Sequence, residues 1–543
     1  MRSTREAFVA IDHFGLAPES VRTVVQGTLP AVDRATGEIL LAEPGHLALS
    51  PDGHSLAFVS TRDTGSTDIY VLDMRTRQTR NLTKSPGGDY RPSWSPDGRT
   101  IAFSSDRGTR LQRSKGNWEQ VQEASVYLVS ADGQGLRRLS SEGQFAGSPK
   151  WSPDGARVVF YELAVGDTFR ARGVGSQATV ASRIVSIDLR TGARVEHASG
   201  PGLKLAPQFL DSTLIGYLAK SGMTAALTFS SGEKGHVGDI GNPAWSRDGR
   251  RVVYHSGAIE TIPSPRTPGQ LLHGRDSRYD LLFASGFPAV SPDGRQLVVS
   301  ERTGRGRPDD RTSLVVWNAD GTNPRRIFHA EGSVMSPQWS ADGQWIVFGA
   351  GTYFLGRAPS PAQVMIVRPD GSGARALTTG PGNAGFPSWS PDGQQIVYRF
   401  WTDGAAGLRI LSPSDGTVRT LTTGYDNFPS WSPKGRIVFS RFVDDEFHIF
   451  AVNPDGSSLT QLTKGPFDDS HPVWSADGEH VLFSSSRFGF KDEAPLADIP
   501  QPYGELLIMK ADGSEQQPLT DNRWEEGTPA WQTVRLTGPA TKP

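Results

Sequence analysis

The chain contains no cysteine, which excludes disulfides, cysteine-ligated zinc and a thiol nucleophile together. No apolar run approaches the ~18 residues of a membrane-crossing helix, so no membrane span is expected. Net charge is only −2 over 543 residues, with 56 Lys and Arg against 58 Asp and Glu. That balance creates no basic field and makes nucleic acid a poor partner. Gly-x-Ser-x-Gly, His-Glu-x-x-His and a Gly-rich phosphate loop after a strand are all missing. The sequence therefore offers no nucleophile elbow, no zincin helix and no nucleotide cradle. The first residues, Met1-Arg-Ser-Thr-Arg-Glu-Ala-Phe8, have no apolar h-region, so no signal peptide is visible.

Turn formers and aromatics are plentiful. Apolar residues at 36%, with 61 Gly, 39 Pro, 13 Trp and 25 Phe, describe many short strands joined by tight turns. The strongest signal is self-similarity. An anchor followed by Ser-Pro-Asp-Gly and an alternating apolar run recurs along the chain. It is seen at Ser50 to Gly53, Trp94 to Gly98, Trp151 to Gly155, Val290 to Gly294 and Trp389 to Gly393. Variants begin at Trp245, Trp339, Trp431 and Trp474, which makes nine clear copies. A worn tenth copy starts at Phe209, and Pro529-Ala-Trp531 begins an eleventh. Anchor spacings of 36 to 58 residues fit four-stranded blades with variable loops.

Each unit also has a second half, an apolar strand with its own Asp-Gly turn and a Leu-Thr ending. Val364 to Gly371 with Leu377-Thr378, and Ile449 to Gly456 with Leu462-Thr463, are examples. Pro sets φ at the first corner, Asp tolerates the next position and Gly takes the left-handed one, so these motifs read as hairpin turns. None completes a calcium loop.

These motifs are WD-repeat-like and resemble TolB-type propeller repeats from about Val21 to Trp531. The resemblance implies an all-β propeller of four-stranded blades. The fold expected is a single large ring of about 10–11 blades closed by N- and C-terminal strands, with two abutting propellers as the alternative. A tail at 1–20, a propeller at 21–535 and a tail at 536–543 follow, with anchors near 49, 94, 151, 209, 245, 290, 339, 389, 431, 474 and 531. Residues 21–41 read as outer strands of the blade whose inner strand holds Trp531. A junction between two rings would fall in the worn stretch 197–285.

Tight Asp-Gly turns on one face leave the irregular insertions to the other: 108–124, 166–182, 262–277, 302–311 and 489–504. Loops on a rigid scaffold are where binding concentrates. The segments before each Pro-x-Trp read as inter-blade crossovers ringing the same mouth. They supply the candidate ligand-binding residues Tyr90, Arg91, Asp239, Asn242, Asp426, Asp468, His471 and Glu525. Acids outnumber bases in this set, which favours a cationic peptide segment or a divalent cation at the funnel mouth. His236, His255, His273 and His471 are the candidates for the channel or its mouth, against the plainer reading of ordinary loop and strand histidines. Phe287, Phe386 and Phe428 would line an open funnel.

Such repeats serve binding proteins, peptidase accessory domains and polysaccharide lyases, so the fold alone does not choose. The reading carried forward is a monomeric, periplasmic or secreted scaffold that grips a protein segment or glycan at the decorated funnel face. The alternative is a propeller-type polysaccharide lyase or hydrolase, favoured if three or more imidazoles or carboxylates come within reach of one metal. Catalytic and metal-ligating residues are not assignable from the sequence.

Overall fold

The computed structural model describes residues 30–32, 39–41 and 47–530, apart from 61–65, 109–111, 114–119, 173–175, 222–223, 239, 246–251, 257–285, 304–310, 319–321, 331, 352–360, 403, 491, 496–503 and 520–528. Among the described residues, nine four-stranded antiparallel sheets account for most of the regular structure. Helix among the described residues is confined to Thr168–Arg172 and two single 3-10 turns. The fold is all-β, as the repeats require. Each sheet is a meander, for example Gln144–Trp151, Arg157–Ala164, Ser182–Asp188 and Arg194–Ala198 in order. The worn copy is also a four-stranded sheet, running from Leu203–Phe209 to Lys234–Gly238. Pro30–Val32 and Ile39–Leu41 pair as a short hairpin. Trp531, the expected partner of that region, lies outside the described residues.

Anchor tryptophans end the first strand of their sheets at positions 94, 151, 245, 339, 389, 431 and 474. Four of their indole N–H groups reach back to the first strand of the preceding sheet. Trp94 donates to the Ala48 carbonyl at 2.9 Å, Trp151 to Ser93 at 3.0 Å, Trp339 to Ala289 at 3.1 Å and Trp474 to Ser430 at 3.1 Å. One residue type thus supplies both an apolar plate and a polar staple between neighbours.

The Ser-Pro-Asp-Gly motif is turn chemistry throughout. Ser50, Ser95, Ser152 and Ser291 each donate to the following aspartate at 2.6 Å. The same carboxylate oxygen accepts the N–H two residues on, and Gly53, Gly98, Gly155 and Gly294 sit at φ of 70–72°. These hydrogen bonds hold the aspartates below the usual carboxylate range. The Leu-Thr ending has an equally local cause. The hydroxyls of Thr378, Thr422 and Thr463 each accept a third-strand N–H at 2.9 Å.

The chain divides into two compact units. The first comprises residues 1–271, 488–502 and 521–524, the second 272–487, 503–520 and 525–543. The division falls inside the worn stretch. In the first unit one apolar cluster runs from Ala57 to Trp245 through its four-stranded sheets, with smaller clusters at Leu56 to Leu72 and Ala102 to Val185. In the second, separate clusters sit between successive sheets, such as Val298 to Val367 and Val397 to Val452.

Candidate functional site

First strands carry a fault at one place. Pairing with the second strand slips between Tyr90 and Ser93, Gly147 and Lys150, Leu205 and Gln208, and at the matching place in five sheets of the second unit. Within each slip the residue before a proline has φ of 47–59°: Arg91, Ser148, Ala206, Phe287, Ser336, Phe386, Phe428 and His471. A left-handed residue costs about 1–3 kcal/mol when it is not glycine. Proline at the next position bars the helical alternative. The bulge turns one side chain per sheet out of the strand's alternation.

In the second unit four of these side chains, from four sheets, meet one another. Phe287 lies 6.0 Å from Phe386, Phe386 4.4 Å from Phe428, and His471 3.9 Å from Phe428 and 5.8 Å from Phe287, between ring centroids. Phe386, Phe428 and His471 are buried, so the expected open funnel is closed at this level. Burial drives His471 down to about 3, and its imidazole is neutral.

The first unit presents Arg91 and Ser148 at the same positions, and they build a polar pocket. Arg91 donates from Nε and Nη2 to the two carboxylate oxygens of Asp492, each at 2.8 Å, with both side chains 7% exposed. Glu493 is 0% exposed. Its Oε1 accepts the Ser148 backbone N–H at 2.6 Å and the Ser104 hydroxyl. Its Oε2 accepts the hydroxyls of Ser148 at 2.8 Å and Tyr161 at 2.7 Å. Gln122 completes the grip on the main chain, accepting the Ala494 N–H at 2.6 Å and donating to the Asp492 carbonyl at 3.1 Å. The same amide donates to the Tyr90 hydroxyl at 2.5 Å, and the Gln122 N–H is held by the Thr168 hydroxyl of the 166–182 insertion. Glycine is required at two walls. A Cβ on Gly147 would stand 2.6 Å from the Glu493 carboxyl carbon, and one on Gly88 would stand 2.6 Å from the Phe490 carbonyl oxygen.

Ionisation around the pocket is displaced. Burial opposes the Arg91 charge, but Asp492 and Glu493 outweigh it and raise the guanidinium above its ordinary value. Burial, then Glu493, lifts Tyr161 well above the phenol range and keeps it a donor. Burial, then Arg91, lowers the Lys150 ammonium to about 8. Burial raises Asp106 to about 7, against the Gly88 N–H that its carboxyl accepts at 2.5 Å. Asp106 therefore keeps its proton when folded up to about pH 7, while an unfolded aspartate loses it near 4. The unfolded chain binds fewer protons across that window, so Asp106 makes stability fall as pH rises through it. Asp106→Asn is expected to cancel this loss, on the order of 2–4 kcal/mol, when urea midpoints at pH 5 and pH 8 are compared with the parent. Parallel shifts in the two proteins would show that the Asp106 carboxyl titrates normally.

The candidate residues are distributed as follows. Tyr90 and Arg91 stand together in this pocket, on strand Asp89–Trp94 and not in a crossover. Asn242 lies on strand Ile240–Trp245, and Asp239 and Glu525 lie outside the described residues. Asp426, Asp468 and His471 belong to the second unit and are buried, not rim-exposed. Asp426 opens its strand and receives Arg441 at 2.6 and 2.9 Å. Asp89 with Arg107 at 2.6 Å and Asp469 with Arg487 at 3.0 Å repeat this pair. Asp468 accepts the Phe447 N–H at 2.8 Å. Of the acids in the candidate set, Asp426 is thus paired with a cation inside its sheet and Asp468 is buried against a backbone N–H, so neither offers a free rim charge to a cationic ligand. Ser104, Gln122, Ser148, Tyr161, Asp492 and Glu493 were not singled out. Comparing the residue before proline across repeats would have found Ser148. No group of three His, Cys, Asp or Glu able to hold a metal occurs among the described residues, and no described helix is long and apolar enough to cross a membrane.

A family profile described as the TolB β-propeller domain matches residues 42–166 and 239–456, more than half of the chain. The chain belongs to this TolB β-propeller family. Among curated relatives, the uncharacterized peptidase YuxL of Bacillus subtilis (strain 168) is 27% identical over 243 residues, 43% of this chain and 32% of YuxL. The Tol-Pal system protein TolB of Azoarcus sp. (strain BH72) is 34% identical over 93 residues, 17% of this chain and 18% of that protein. The chain thus spans a third or less of these two relatives. The solved structure of a putative TolB from Agrobacterium tumefaciens overlaps 44% of this chain and 81% of its own, at 22% identity and a TM-score of 0.36.

Proposed function

We propose that this TolB-family propeller is a binding scaffold, periplasmic or secreted, that grips a protein segment or glycan at the polar centre of its first unit. The observation that carries this reading is the Ser104, Ser148 and Tyr161 donor set closing on one carboxylate beside Arg91. Arg91 and Ser148 are fixed by strand bulges and Ser104 and Tyr161 by paired second strands, so the donors are preorganised, and preorganisation is what turns a polar pocket into a binding site. A cysteine-free chain suits an oxidising envelope compartment.

The test is calorimetric titration of the full chain with acidic peptides, basic peptides and oligogalacturonates, followed by mass analysis of the recovered ligands. A scaffold gives saturable binding of one class, returned unaltered. Cleaved or dehydrated ligand would turn the assignment to a lyase or hydrolase, and no binding by any class would remove it.

A further inference from the structure

Segment 488–502 is grouped with the first unit, although the residues on either side of it belong to the second. Its described part fills the pocket in the manner of a bound peptide. Asp492 and Glu493 project two adjacent carboxylates into two separate subsites, the Arg91 fork and the hydroxyl nest. Gln122 reads the main chain on both sides of Glu493, one amide group serving the Asp492 carbonyl and the Ala494 N–H. Phe490, 2% exposed, lays its carbonyl over Gly88, where only glycine admits it. This division of labour, side-chain subsites plus main-chain pairing, is how extended peptides are recognised. A merely structural strut does not need a carboxylate buried in a nest of four donors, because burying charge costs more than burying apolar groups of similar size.

We infer that the pocket is a recognition site for an acidic peptide bearing adjacent Asp and Glu, and that Phe490 and residues 492–494 occupy it in cis as an autoinhibitory strap. The inference rests on the scaffold reading and names its partner class and its regulation. A tethered segment competes at an effective concentration of roughly millimolar. An incoming peptide of micromolar affinity must first displace it and is weakened by about 100-fold or more. Removing the strap is sterically simple. The strands on either side, His480–Ser485 and Glu505–Lys510, pair to their ends at Ser485 and Glu505, so a short turn can join them.

The experiment titrates the blocked peptide Phe-Gly-Phe-Lys-Asp-Glu-Ala-Pro-Leu into three full-length proteins: the parent, a variant with 488–502 replaced by a Gly-Asn-Gly-containing turn, and Asp492→Asn combined with Glu493→Gln. The expected result is tight binding to the strapless protein, about 100-fold weaker binding to the parent and intermediate affinity for the double variant. Tyr161→Phe in the strapless background should weaken the peptide about tenfold, and the Asn-Gln version of the peptide should bind the strapless protein about tenfold more weakly than the Asp-Glu version. Equal affinity for parent and strapless protein overturns autoinhibition, and absence of binding by a folded strapless protein overturns the peptide site. If the strapless chain fails to fold, the double variant decides: binding no tighter than the parent overturns the inference. A parent that binds another ligand class while the strapless protein ignores the peptide sinks this inference and leaves the scaffold reading standing. Loss of all binding in both sinks the two together.

Discussion

Replacing Arg91 with methionine is expected to destabilise the first unit by about 3–5 kcal/mol, because the Asp492 carboxylate stays buried without its cation. Both side chains are 7% exposed and joined by two 2.8 Å bonds, so water has little room to substitute for the guanidinium. Arg91→Met with Asp492→Leu should recover most of the loss, since removing both charges also removes the desolvation cost. A double-mutant cycle in urea, followed by intrinsic fluorescence, measures the coupling. A single-variant loss below about 1 kcal/mol would mean that the pair is solvated and that the pocket is not closed as described.

Trp431→Ala should cost a similar amount, about 3–5 kcal/mol, by a different route. The indole is 8% exposed and packs with Val397, Leu408 and Ile437, which come from its own sheet and the one before. Its backbone N–H is held at 3.0 Å by the Ser388 hydroxyl of the preceding first strand. Alanine leaves a cavity between two sheets that stiff strands cannot collapse into. Trp431→Phe keeps part of the plate and should lose roughly half as much. Denaturation midpoints close to the parent for Trp431→Ala would place the ring at the surface and weaken the repeat reading.

Much of the scaffold was legible because its causes are local. Ser95, Asp97 and Gly98 close a turn within five residues, so the motif and its geometry are the same statement. The sheet at Leu203–Phe209 was found by spacing even though its Ser-Pro-Asp-Gly had worn away. The site was legible only in part. Tyr90 and Arg91 were marked, but as crossover residues, because the bulge before Pro92 breaks the two-residue alternation that announces a strand. Loop 489–504 was marked as an insertion. Its Asp492 and Glu493 could not be paired with Arg91, Ser104 and Tyr161, which stand more than 300 residues away. Asp426 was misread as a rim acid although a signal was present. An arginine follows the strand-opening acid by 15 to 18 residues in Asp426 and Arg441, Asp89 and Arg107, and Asp469 and Arg487.

The left-handed residue before each proline also restricts the alphabet available to the protein's interior. A β-branched side chain is a conformational outlier at positive φ, and the eight described positions hold Arg, Ser, Ala, Phe, Ser, Phe, Phe and His, with no Val, Ile or Thr among them. Eight sheets therefore each turn out a single unbranched residue at this place, set apart from those that pack the sheets together. The residue at this place can thus differ from repeat to repeat, Arg91 and Ser148 in the first unit against Phe386, Phe428 and His471 in the second, without touching the residues that pack the sheets together.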